Sequence, residues 1–238
     1  PGRIPYGNLT IVCGRPGEGK SQFTLKLAAD LSHSAGTILI GAEDGLADTV
    51  APRLIANGAN LANVHSITTR TERGQEDDAI LPMDVPLLER AVRETGSGLV
   101  VIDPFAAHLD AELSSTSDHS VRQALRPLAR MAHETGVAVV IVMHPRKGRD
   151  GHPMEWIGGS GGVPGAARSA LLFGRHKDEN ALDDDYRYLI HIKANGARLA
   201  PALRLRMEQV RIERPDRIVW APRFHLEDEV AMDAGDLK

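Results

Sequence analysis

At 238 residues, with 42% hydrophobic and 25% charged side chains, the chain can build one large core and is neither disordered nor low in complexity. No apolar run approaches the roughly 20 residues that cross a bilayer and no signal pattern opens the chain, so no membrane partner is expected. A formal net charge of −4 gives no global pull toward nucleic acid, and the lone Cys13 allows no intramolecular disulfide, as in a cytoplasmic protein. The chain opens on Pro1 rather than methionine, as a piece of a longer or processed protein would.

Leu9-Thr10-Ile11-Val12-Cys13 reads as a short buried strand, with Cys13 as a small core residue. It runs into Gly14-Arg15-Pro16-Gly17-Glu18-Gly19-Lys20-Ser21, a complete G-x-x-x-x-G-K-[ST] phosphate loop. A helical pattern leads out from Ser21 through Phe23, Leu25, Leu27, Ala28 and Leu31. Successive backbone N–H groups of such a loop curl round a phosphate, and the helix N-terminus adds partial positive charge. Lys20 reaches the β- and γ-phosphates, the Ser21 hydroxyl sits where it binds Mg²⁺, and the nucleotide contacts extend to Gln22. The expected ligands are therefore ATP, or another nucleoside triphosphate, and Mg²⁺.

Further along, 37–41 reads as a second buried strand, 46–57 as a helix and 64–67 as a weak strand. The stretch 68–84 is polar and patternless, which predicts an exposed loop. A helix at 87–95, a strand at 99–103 and a strongly amphipathic helix at 121–135 follow, the last closed by Gly136. Residues 137–143 form the most hydrophobic strand and end at His144. After about residue 165, alternating patterns at 170–173, 186–193, 203–207 and 218–220 predict antiparallel strands added at one edge. The fold class is α/β: a doubly wound, mostly parallel sheet flanked by helices, with antiparallel strands toward the C-terminus. One domain over 1–226 and a polar, fraying tail over 227–238 are expected. Neither an internal repeat nor a Pro-rich linker occurs.

Asp103 follows four apolar residues, so its carboxylate emerges at the carboxyl edge of the sheet, where open α/β folds bind ligands. It either holds Mg²⁺ through water, completing the site with Ser21, or caps a turn with Pro104. Glu43 and Asp44 leave the second strand at the same edge. Glu43 can orient and polarise an attacking water, while either residue can cap the helix that follows.

A phosphate loop on the first strand, Ala42-Glu43-Asp44 after the second, an aspartate ending 99–103 and a further strand ending in His144 together resemble the RecA-like ATPases. Within that superfamily the chain looks most like the RepA-type hexameric replicative helicases, whose approach to the first strand the opening Pro1-Gly2-Arg3-Ile4-Pro5-Tyr6-Gly7 also resembles. The resemblance covers roughly residues 1–210. It implies a ring-forming, hexameric architecture and single-stranded DNA as partner, with His144 as a sensor of the γ-phosphate. It also implies that Arg146, Lys147 and Arg149, with the flexible Gly159, Ser160 and Gly161, belong to a channel-lining loop that contacts DNA phosphates. A solvated basic loop is the alternative for that segment, and with aromatics at 4% of the chain only Trp156 lies nearby as a stacking platform. Lys193 and Arg198 flank Asn195-Gly196, a strong turn signal, and resemble the cations that such rings send into a neighbour's nucleotide. Three classes follow: a DNA-stimulated ring motor, an ATP-gated assembly or DNA-binding protein without translocation, and a small-molecule kinase. The kinase is disfavoured by the absence of an arginine-rich lid.

Overall fold

The computed structural model describes residues 2–41, 43–70, 76–113, 117–145, 156–157, 165–178, 185–214 and 217–237. Its parallel strands are β1 (Leu9–Cys13), β2 (Gly36–Gly41), β3 (Val64–Ser66), β6 (Ser97–Asp103), β7 (Ala138–Met143) and β8 (Ser169–Gly174). An antiparallel extension comprises β9 (Tyr186–Ala194), β10 (Ala202–Glu213) and β11 (Ile218–Val230). Together they form one nine-stranded sheet in the order β11-β10-β9-β8-β1-β7-β6-β2-β3. A small separate sheet pairs β4 (Thr69–Arg70) with β5 (Glu76–Asp77).

Alternation along the central strands separates two cores. Ile11, Ile40, Val100, Ile102 and Ile141 face α3 (Val85–Thr95) and α4 (Asp118–Thr135), which contribute Leu88, Val92, Leu125 and Leu128. Val12, Leu39, Val101, Val140 and Leu171 face α1 (Lys20–Leu31) and α2 (Ala51–Ala56), which contribute Phe23, Ala28 and Leu54. Strands buried on both faces are near-continuous Val/Ile/Leu runs, which is why sequence periodicity finds them easily. α4 is bounded as its sequence dictates: the Ser117 side chain accepts from the Ser120 N–H, and Gly136 closes it in the left-handed region at φ 76°.

The expected fold class holds, and three local expectations need correction. The stretch 68–84 is not wholly an exposed loop: Ala79 and Leu81 are buried among α3 and α4, and the Leu81 N–H donates to the His108 carbonyl. The apolar run Ala79-Ile80-Leu81-Pro82-Met83 is too short, and too close to the polar residues before it, to give a period. β8 pairs parallel to β1, so the antiparallel extension starts only at β9. The tail expected to fray from 227 instead completes β11 to Val230, and Leu237 is buried and bridges to His176.

At the amino edge of the sheet, a buried network ties the N-terminus to the antiparallel half. The Ala200 N–H donates to His191 Nδ1 at 3.1 Å, which leaves the proton on Nε2 to donate to Ser169 Oγ at 3.1 Å. Ser169 Oγ in turn donates to the Arg3 carbonyl at 2.5 Å, and Arg3 reaches the Pro201 carbonyl and Glu229. Burial, with the Arg3 charge adding to it, holds His191 below its ordinary 6.5. An unfolded chain binds a proton here that the folded chain refuses, so stability is full above pH 6.5 and falls as pH drops below it. Wild type should therefore lose up to about 1.4 kcal/mol per pH unit on acidification from this group alone. The denaturant midpoint of His191→Gln, compared with wild type between neutral and mildly acidic pH, should show the shallower slope.

Candidate functional site

The register of the parallel strands decides where the site forms. Cys13 lies beside Met143, Ile102 beside Ile141 and Gly41 beside Asp103, so four strand ends reach one edge together. From β1 comes the phosphate loop, from β2 Glu43 and Asp44, from β6 Asp103, and from β7 His144. Ser21, Glu43, Asp44 and Asp103 line a common cavity.

The loop is built against the antiparallel half of the sheet. A Cβ on Gly14 would collide with the Phe173 carbonyl oxygen, an approach that only glycine permits. Gly19, at φ 95°, has Phe224 of β11 and Phe173 of β8 beneath it, and Phe173 stacks on Phe23 with ring centroids 5.1 Å apart. Glu18 is buried: Arg175 Nη1 donates to its carboxylate at 3.1 Å, and Arg187 Nε donates to its carbonyl at 2.9 Å. Arg15, Pro16 and Gly17 are exposed, and Gln22 is half-buried on the first turn of α1. Sequence reasoning missed Arg175 and Arg187, because only the pairing of β8 with β1 and β9 brings them to the loop.

Lys20 is 4% exposed, and its ammonium donates to the Arg15 carbonyl at 2.9 Å and stands 3.2 Å from His144 Nδ1. Burial pushes its pKa down, while the Asp103 and Glu18 carboxylates work against that. No carboxylate pairs directly with Lys20 among the described residues, so it is a desolvated cation suited to an anionic ligand. Burial likewise raises Asp103, reinforced by Glu43 and Asp44, while the Ser21 hydroxyl hydrogen-bonded to it and the Lys20 charge favour the ionised form. A cation beside Ser21 and Asp103 would relieve that burdened carboxylate, so the donor set fits Mg²⁺. Glu43 is exposed, and Asp44 accepts from Arg53 Nη1 at 2.5 Å.

Lys193 and Arg198 lie elsewhere. Lys193 pairs with Ala170 at the start of β8 and donates to the Ala167 carbonyl at 2.6 Å; Arg198 is exposed in the turn beyond β9. Both occupy the amino edge of the sheet, opposite the phosphate loop. Arg146, Lys147, Arg149, Gly159, Ser160 and Gly161 fall outside the described residues. Among the described residues, no helix is long and apolar enough to cross a membrane.

The family whose description is "AAA domain" matches residues 1–150, more than half of the chain. Two curated relatives, both named DNA repair protein RadA, come from Bacillus subtilis (strain 168), 27% identical over 151 residues, and from Halalkalibacterium halodurans, 29% identical over 149 residues. Each match covers 61% of this chain and 30% of the relative, so the chain corresponds to less than a third of either protein. Among solved structures, one described as an ATPase domain superposes with a TM-score of 0.62 at 18% identity, covering 84% of this chain and 81% of that one. A DnaB-like replicative helicase, described with its interactions with primase, superposes with a TM-score of 0.64 at 18% identity, covering 85% of this chain and 57% of that one. These superpositions bear out the RecA-like fold expected from the sequence.

The Gly14 contact generates a direct test. Gly14→Ala has to move the Phe173 backbone, and should cost about 1–3 kcal/mol of stability. The measurement is the denaturant midpoint, with an unchanged midpoint counting against the close approach.

Proposed function

The chain belongs to the AAA domain family of P-loop ATPases, and we propose that it hydrolyses ATP as a RecA-like, ring-forming ATPase coupled to binding or translocation of single-stranded DNA. The observation that carries the hydrolytic part is the convergence of Lys20, Ser21, Glu43 and Asp103 on one sheet edge. In this reading the loop backbone from Gly14 to Gln22 holds the phosphates and Lys20 leaves the Arg15 carbonyl to neutralise them. Ser21 and Asp103 hold Mg²⁺, which when bound screens charge on the β- and γ-phosphates. Glu43, exposed and lining the cavity, orients the attacking water, and His144, already 3.2 Å from Lys20, senses whether that ammonium is engaged.

Lys193 and Arg198 enter as cations offered to a neighbour. Their place at the edge opposite the phosphate loop supports action in trans, because neither can fold back to its own nucleotide across the sheet. A ring of six copies with the 146–149 and 159–161 segments on its inner wall completes the proposal. The RadA names favour one second reading, an ATP-gated DNA-binding or recombination assembly that does not translocate.

Glu43→Gln should keep ATP affinity and lose about 10²–10⁴-fold in turnover, because the amide keeps the shape but not the basic oxygen. Lys20→Ala should lose tight ATP binding with little change in melting temperature. Steady-state ATPase rates alongside ATP titration separate the two, and a normal rate in either variant removes that residue from the site. Arg198→Ala or Lys193→Ala mixed with Lys20→Ala should recover turnover, since mixed interfaces contain an intact site. ATPase activity independent of concentration and of single-stranded DNA would replace the ring motor.

A further inference from the structure

The segment that carries Glu43 is held from outside by the ribbon of β10 and β11. Glu43 itself has no hydrogen bond or ion pair among the described residues. Asp44, next to it, is held by Arg53 of α2 at 2.5 Å. α2 in turn rests on the ribbon. Ala56 packs with Ile212 and Ala221, Asn57 Nδ2 donates to the Pro222 carbonyl at 3.2 Å, and the Phe224 N–H donates to Asn57 Oδ1 at 3.1 Å. Between Glu43 and α2 the chain makes a π-helical turn, Leu46–Val50, which has no fully buried residue and reaches the core through the partly buried Val50. Such wide turns are rare and concentrate at functional sites. The ribbon tip grips this one at two points: Arg217 pairs with Asp48, and Arg214 Nη1 donates to the Ala47 carbonyl at 3.0 Å.

We propose that Arg214 and Arg217 are positioning residues for hydrolysis, setting where the Glu43 carboxylate stands by fixing the turn that follows it. The inference rests on the reading of Glu43 as the residue that orients water. A base works only within hydrogen-bond reach of the water it polarises, and small displacements are costly in rate. Lys20 and Ser21, on the first turn of α1, and Asp103, at the end of β6, lie on other elements and do not depend on this grip. Exposed ion pairs such as Arg217–Asp48 add little to global stability, being screened by water and salt. The two arginines therefore act on turnover, not on ATP affinity or folding.

Charge reversal tests this in the full chain. Arg217→Glu and Asp48→Arg should each lower kcat by about tenfold, with affinity for a non-hydrolysable ATP analogue and melting temperature at wild-type values. The double variant, which re-forms the pair with opposite signs, should recover most of the loss. In a Glu43→Gln background, Arg217→Glu should have no further effect on residual turnover. A wild-type kcat in Arg217→Glu overturns the proposal. So does a loss that runs through weaker nucleotide binding or lower melting, or one that the double variant keeps. A normal rate in Glu43→Gln alone overturns the reading of Glu43 instead, and the two failures are thereby told apart.

Discussion

The space behind Gly14 is the constraint on which the site depends. The backbone there passes so close to the Phe173 carbonyl that no side chain fits, which fixes the root of the phosphate loop against β8. Arg175 and Arg187, at the facing ends of β8 and β9, then hold Glu18, and Phe224 of β11 fills the space under Gly19. The loop is thus preformed: its shape is set by packing and ion pairs with strands more than 150 residues further along the chain. A preorganised loop does not spend binding energy on ordering itself when phosphates arrive.

Charge at this edge is arranged around one desolvated cation. Lys20 is deeply buried and leans on a carbonyl and a ring nitrogen, neither of them a carboxylate. Glu18 lies close enough to support its charge, yet its carboxylate is taken up by Arg175. Asp103 is engaged by the Ser21 hydroxyl. The lysine is therefore left with attraction to spare, while burial and the neighbouring Glu43 and Asp44 weigh on Asp103 in the adjoining cavity. A polyanion alone would satisfy the lysine and worsen the carboxylates. A polyanion carrying a divalent cation satisfies both sides, which is the electrostatic reason the edge suits a metal–nucleotide pair.

The parallel half of this fold is legible because its strands are buried on both faces and its helices show one clear stripe. β1, the loop and Asp103 follow from Val/Ile runs, one motif and one terminal carboxylate. Hydrophobic alternation finds only five residues of β10 and three of β11, because the rest carries charged pairs: Glu208 with Arg223 and His225, Arg211 with Glu213, and Glu227 and Asp228 with arginines of β10. Such strands are held by cross-strand ion pairs and backbone bonds, and a hydrophobic period does not register them. The polar end of β11 reads as a tail for the same reason. Arg175, Arg187, Arg214 and Arg217 are illegible because nothing local distinguishes them from solvated arginines. Their partners are set by sheet order alone. The Ser169–His191 pair shows the converse hazard: a serine beside a histidine is here a fully bonded structural network, with the serine donating to a carbonyl and buried from any substrate.

The sheet also separates what the molecule does for its own nucleotide from what it could offer another. Everything that holds Glu43, from Arg53 to the ribbon tip, belongs to the carboxyl edge. Lys193, Arg198 and the exposed Leu199 belong to the amino edge, beyond an intact layer of β-structure. If those cations meet a nucleotide, it is held by a second copy whose carboxyl edge faces them. The resulting contact is heterologous, since each copy presents a different edge to each neighbour. Such a contact closes into a ring when the rotation between copies divides a full turn, and otherwise continues as a helical filament. The ring motor and the gated assembly thus use the same two surfaces and the same residues. What separates them is the rotation between copies, a property of how the edges meet that lies outside the chemistry of either edge.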